Sequence, residues 1–212
     1  MEYEQNYFGL SSPKVFTNRN IMVDVKNEYD ILYRNFINPD IRPKLKGVPI
    51  FIKNEFIDGM EERFLHCISM EDREYYRHVL PCSNLIYAKE CVPKCKKENA
   101  SFVFSRLKEN RVECQYRLAT VQWIPQIIKY ANDGDPRITM WRYDKKDPSG
   151  KWYWCRYVRY RDGIVDFLIV FNELYDKTNK NKLNYLDLRS AYPIFKPYEA
   201  YDLDKQSRKY PL

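Results

Sequence analysis

With 212 residues, 44% hydrophobic and 31% charged side chains, and six glycines, the chain is long enough for one well-buried core and too short for two domains of ordinary size; it is neither fibrous nor low in complexity. Its formal charge of +7 bears on partners and not on fold, and favours a polyanion, above all nucleic acid, over an acidic protein surface. The acidic start "MEYEQNYFGL" lacks a basic and apolar leader and the best apolar run, "FLIVF", is strand-sized, so the expected setting is a reducing cytoplasm without a membrane partner, where six Cys residues are thiols or metal ligands.

In chain order, residues 1–47 are rich in Asn, Asp, Pro and Arg without a sustained period and read as an irregular or partly helical N-terminal arm. A domain then spans residues 48–195, with a tail over 196–212. It begins with the β-prone "VPIFIKNEFIDG" and the helical or turn-like "GMEERFLHCISM". A basic, aperiodic, Cys-bearing insert follows at about 75–114. Next, Leu118, Val121, Ile124, Ile127, Ile128 and Ala131 recur at three- and four-residue spacing, which predicts an amphipathic helix that Pro125 kinks or restarts and Asn-Asp-Gly-Asp-Pro stops.

Four β-like runs close the domain: "RITMWRY", "KWYWCRYVRY", "IVDFLIVFN" and "YLDLRSAYPIF". Asp-Pro-Ser-Gly, Arg-Asp-Gly and a polar loop separate them, which predicts an α+β fold in which an amphipathic helix covers one face of a four-stranded antiparallel meander. Between Trp141 and Arg161 seven cations (Arg142, Lys145, Lys146, Lys151, Arg156, Arg159, Arg161) stand against Asp144 and Asp147, with Tyr and Trp interleaved. Such a strand either offers phosphate contacts and rings for base stacking, worth ~1–3 kcal/mol per base, or is a solvated edge whose aromatics simply pack.

Only His66 and His78 are available to a His-dependent mechanism, and His66 follows an element boundary in "ERFLHCIS". Three pieces in order, "FIDGMEERFLHCIS", "YRLATVQWIPQII" and "YLDLRSAYPIF", resemble the phage-borne branch of the barnase/EndoU/colicin/RelE-like RNase superfamily over roughly residues 48–195. The resemblance implies His66 as general acid or base, Arg117 as the phosphate-binding cation at the helix start, and Ser190 and Tyr192 as hydroxyls of the last strand. It also implies Arg156 or Arg159 as a second phosphate contact, and Lys151, Trp154 and Ser69 are further candidates for substrate contact. Ser69 is followed by Met70 where that family tends to carry a basic residue.

Metal-free cleavage of RNA by its 2′-hydroxyl needs a base, an acid and cations aimed at the charged phosphorane, so no catalytic cofactor is expected. The alternative keeps the fold without the reaction, as a nucleic-acid-binding protein or a host-takeover or anti-defence factor that binds an acidic bacterial protein. Separately, Cys82, Cys91, Cys95 and Cys114 (C-x8-C-x3-C-x18-C) are either a structural zinc site, with His78 as substitute ligand, or buried thiols.

Overall fold

A computed structural model describes residues 7–14, 16, 21–53, 55–57, 59–71, 111–179, 182–194 and 196–212. The described elements run α1 (Ile21–Ile37), β1 (Lys44–Leu45), β2 (Val48–Phe51), β3 (Phe56–Ile57), β4 (Met60–Glu61), α2 (Glu62–Ile68) and β5 (Ser69–Glu71). After the basic insert come β6 (Arg111–Glu113), α3 (Gln115–Thr120), α4 (Trp123–Asp133), β7 (Ile138–Lys146), β8 (Trp152–Asp162), β9 (Val165–Tyr175), β10 (Leu183–Pro193) and α5 (Pro197–Lys209).

The expected four-stranded antiparallel meander with one helical layer is corrected. The sheet has six strands in the order β1-β2-β10-β9-β8-β7, and it is mixed. Strands β7 to β10 are antiparallel neighbours, but β2 joins β10 in parallel through Leu186 opposite Ile50 and Asp187 opposite Phe51, and β1 pairs antiparallel with β2. A meander ending at β10 would leave that edge with unpaired backbone groups, and β2 covers part of it. No turn signal announces a parallel partner that lies a whole domain away in sequence.

Helices cover both faces, not one. On the first face Val158, Tyr160, Phe167, Ile169, Phe171 and Leu188 share a core with Val25, Leu32 and Phe36 of α1, Phe64 and Leu65 of α2, and Ile124, Ile127 and Ile128 of α4. Each such side chain taken fully out of water contributes about 1.5–3 kcal/mol. The second face carries Trp141, Tyr157, Leu168 and Val170, closed over by Ile194 and by Leu203 of α5. Burial from both sides is why β9 is apolar almost throughout.

The amphipathic pattern is divided between two helices. The chain turns at Val121 and Gln122, and α4 starts with Pro125 in its first turn, where a missing N–H costs no helical hydrogen bond. Gly134 ends α4 at φ +76°, the left-handed cap that the Asn-Asp-Gly sequence supplies.

Candidate phosphate-binding face

Past the residues that Leu203 and Ile194 cover, the second face continues into Tyr143 and Lys145 of β7, Tyr153 and Cys155 of β8, and Arg189, Ser190 and Tyr192 of β10. A β-bulge on β10 sets this arrangement. Leu188 stands opposite Phe171 and Ser190 opposite Val170, so Arg189 is the extra residue between them. Leu188 and Ala191 both stay in the first core although they are three positions apart. Ser190 and Tyr192 oppose Val170 and Leu168, which line the second face, and Arg189 reaches across that face to Tyr153 and Cys155.

Three cations meet here. Arg189 donates from Nη1 to the Tyr153 hydroxyl, and the same nitrogen lies 3.7 Å from Cys155 Sγ. Lys145 Nζ stands 5.6 Å from the centre of the Tyr157 ring. Arg117, only 8% exposed, donates to the Ser69 backbone carbonyl at 2.6 Å and holds its guanidinium carbon 5.2 Å from the centre of the Tyr192 ring. Among the described residues no ion pair joins Arg117, Lys145 or Arg189 to a carboxylate, whereas the neighbouring Arg142, Arg156, Arg159 and Arg161 all have one.

Burial and mutual repulsion shape the titration of the group. Burial, then the Arg189 charge, pushes the Lys145 ammonium below its ordinary value. Burial pushes the Cys155 thiol up, and the Arg189 and Lys145 charges oppose that rise. The hydroxyls of Tyr157 and Tyr192 are also pushed up by burial, Tyr192 further by the Glu199 carboxylate to which it hydrogen-bonds, so both stay protonated at neutral pH. The Tyr157 residue is 3% exposed and among the described residues its hydroxyl has no hydrogen-bond partner, as is true of Arg117 Nε. An unsatisfied buried donor costs about 1–3 kcal/mol, a cost an acceptor brought to this face would remove. Guanidinium forks, an ammonium and protonated phenols together match the oxygens of a phosphate.

The residues singled out from sequence distribute unevenly. Arg117, Tyr192 and Ser190 come to this face or its rim, with the Ser69 carbonyl as the Arg117 anchor. The Ser69 side chain is buried and donates to the Leu65 carbonyl at 2.5 Å. His66 sits half-buried on α2, which packs on β10, with Nε2 3.5 Å from Glu62 Oε1. Arg159 is 3% exposed and forks onto Asp166 at 2.7 and 2.6 Å while holding Asp204 at 2.7 Å, which clamps β8, β9 and α5 together. Arg156 is bound to Glu173 at 2.8 Å on the first face. Lys151 and Trp154 are exposed near the β7–β8 turn. Cys114 is buried at the start of α3, while Cys82, Cys91 and Cys95 lie outside the described residues. Among the described residues no three His, Cys, Asp or Glu are grouped to hold a metal ion.

Sequence reading counts Lys145 only as one cation of a run and does not reach Arg189, Tyr153 or Tyr157. Strand alternation alone puts Lys145, Tyr153 and Tyr157 on one face. Arg189 is hidden by the bulge, which breaks that alternation.

Comparison with protein-family models, with curated proteins and with solved structures finds no match to this chain. No helix among the described residues is long and apolar enough to cross a membrane.

Proposed function

We propose that this chain binds RNA, holding the phosphodiester backbone over the second sheet face with Arg117, Lys145 and Arg189 as cations and Tyr157 as a hydroxyl donor. The observation that carries the reading is the half-buried Lys145 and Arg189 pair, which no carboxylate among the described residues neutralises, beside a buried Tyr157 hydroxyl that has no partner among those residues either. A formal charge of +7 supports a polyanionic partner. The test is the salt dependence of RNA binding. Each lost phosphate contact lowers the slope of log affinity against log salt by about 1, so Lys145→Ala with Arg189→Ala lowers it by about 2. An unchanged slope would dismiss the reading, and a stable complex with an acidic protein that survives nuclease treatment would replace it.

A second reading is a metal-independent endoribonuclease. It is favoured by the position of Arg117 against Tyr192, on the strand face that Ser190 shares, because the resemblance to the barnase/EndoU/colicin/RelE-like RNases assigns roles to these three residues. In this reaction the RNA 2′-oxygen loses its proton to a base and bonds to phosphorus. The 5′-oxygen leaves with a proton from an acid, giving a 2′,3′-cyclic phosphate and a free 5′-hydroxyl. The resemblance gives His66 the proton transfer and Arg117 the balancing of the phosphorane charge. Cleavage in EDTA that is lost in His66→Ala and in Arg117→Ala, and absent on 2′-deoxy substrates, is the expected result; cleavage surviving in His66→Ala rules out His66 as the proton carrier.

A further inference from the structure

The four tryptophans divide sharply. Trp123 and Trp141 are 1% and 0% exposed, whereas Trp152 and Trp154 are 57% and 39% exposed. Alternation along β8 puts the exposed pair on the first face with Val158 and Tyr160, but at the far end of the strand, toward the β7–β8 turn. Two large indoles left in water next to a well-packed core call for a partner.

Both rings are held by cations. Lys146 Nζ lies 4.7 Å from the Trp152 ring centre, and the Arg142 guanidinium carbon lies 4.4 Å from that of Trp154. Arg142 is itself fixed: it reaches Glu173 at 2.9 Å and donates to the Tyr175 hydroxyl at 2.6 Å, while Arg156 takes the other Glu173 oxygen at 2.8 Å. Glu173 is fully buried, so its charge is spent inside this clip and not presented to a ligand. Beside the rings lies a cleft of about 760 Å³ whose walls carry Arg142, Lys151 and Lys177 together with the carboxylates of Glu173 and Asp176. That volume suits the flat ring of a base against the exposed indoles.

We propose that Trp152 and Trp154 form a stacking platform for the unpaired bases of single-stranded RNA, so that the ligand is single-stranded and its bases are read by ring faces on the side of the sheet opposite the phosphate grip. This rests on the RNA reading above but on different residues. Base stacking on aromatic rings tolerates any sequence, and adjacent cations hold the sugar-phosphate chain as the bases stack. A duplex hides its ring faces and is excluded.

Because Trp123 and Trp141 are buried, quenching of intrinsic fluorescence reads the exposed pair. The probes are a 12-mer of oligoadenylate, a blunt RNA duplex and inorganic polyphosphate. Oligoadenylate should bind with quenching, and the other two should leave the emission unchanged. Trp152→Ala with Trp154→Ala should weaken oligoadenylate binding by about thirtyfold or more and leave polyphosphate binding as it was, while the Phe pair at the same positions restores most of the affinity. If the Ala pair binds oligoadenylate as tightly as the parent, or polyphosphate quenches equally, the platform is refuted while the phosphate grip stands. If Lys145→Ala with Arg189→Ala leaves polyphosphate binding intact while the Ala pair at the tryptophans lowers oligoadenylate binding, the grip falls and the platform stands. If neither polyanion binds, both fall together.

Discussion

Removing the Glu173 carboxylate tests how the far end of the sheet is built. Its side chain is fully buried; one oxygen receives Arg156 through Nε and Nη2, each at 2.8 Å, and the other receives the Tyr175 hydroxyl at 2.5 Å and Arg142 at 2.9 Å. Breaking a buried ion pair by deleting one partner costs about 3–5 kcal/mol, because the remaining charge has neither partner nor water. The Arg156 side chain is 15% exposed and cannot escape, whereas that of Arg142 is 32% exposed and can turn into solvent, so its share is discounted. Glu173→Ala should therefore cost about 3 kcal/mol, near the lower end of that range. For a chain of this size that lowers Tm by about 6–12 °C. Glu173→Gln preserves volume but turns an amide toward the guanidiniums and should lose nearly as much. The assay is urea unfolding followed by far-UV circular dichroism. A loss under about 1 kcal/mol in both variants would refute a buried, mutually dependent clip and would mean that water already reaches the carboxylate. The clip also bears on binding, because without it Arg142 is no longer fixed over Trp154.

Three further outcomes follow from single groups. Burial raises the Asp187 carboxyl above its ordinary 3.8, with Arg63 and the Asn172 amide pulling the other way. The folded chain therefore holds that proton more tightly than the unfolded one, and stability is lost as pH climbs from about 3.8 through the raised value. Asp187→Asn removes the penalty, so its urea midpoint should gain on the parent's as pH climbs from about 3.8, and a constant difference would contradict the burial account. Lys145, lowered from its ordinary 10.5, should lose its charge, and RNA its affinity, at a lower pH than an exposed lysine; Lys145→Arg should flatten that fall in an anisotropy titration, and a parent already flat would argue against a role for this amine. Gly163 occupies the first position of the two-residue β8–β9 turn at φ +54°, where a Cβ would also run into the Phe8 ring. Gly163→Ala should cost about 1–2 kcal/mol in the same unfolding assay, and a neutral result would mean the turn can change type.

What the sequence made legible was local. The Arg-Asp-Gly turn, the stop at Gly134 and the restart at Pro125 are each dictated by the residues that carry them. The sheet beyond four strands was not legible, because β2 meets β10 through contacts with no turn between them. Nor was the helix on the second face: α5 buries Leu203 and leaves Tyr198 and Tyr201 64% and 69% exposed, so it shows no apolar stripe to read. At the candidate site, Arg117, Ser190 and Tyr192 were reachable only through the resemblance, and Arg189 not at all, since the bulge that turns it toward Cys155 leaves no compositional trace.

The run of seven cations between Trp141 and Arg161 shows why charge counts alone mislocate a binding face. Arg142 and Arg156 are consumed by Glu173, and Arg159 and Arg161 by Asp166 and Asp204. Their charges hold strands and helices together and contribute little field outside the protein. Among the described residues Lys145, Lys146 and Lys151 form no such ion pair, and Arg189, which lies outside the run, joins Lys145 across the sheet. Substitutions within one basic stretch should therefore fall into two groups. Arg159→Ala strips a fork from a residue 3% exposed and acts on stability, whereas Lys145→Ala removes a charge that burial already disfavours and acts on anion binding, leaving the fold as stable as before or more so.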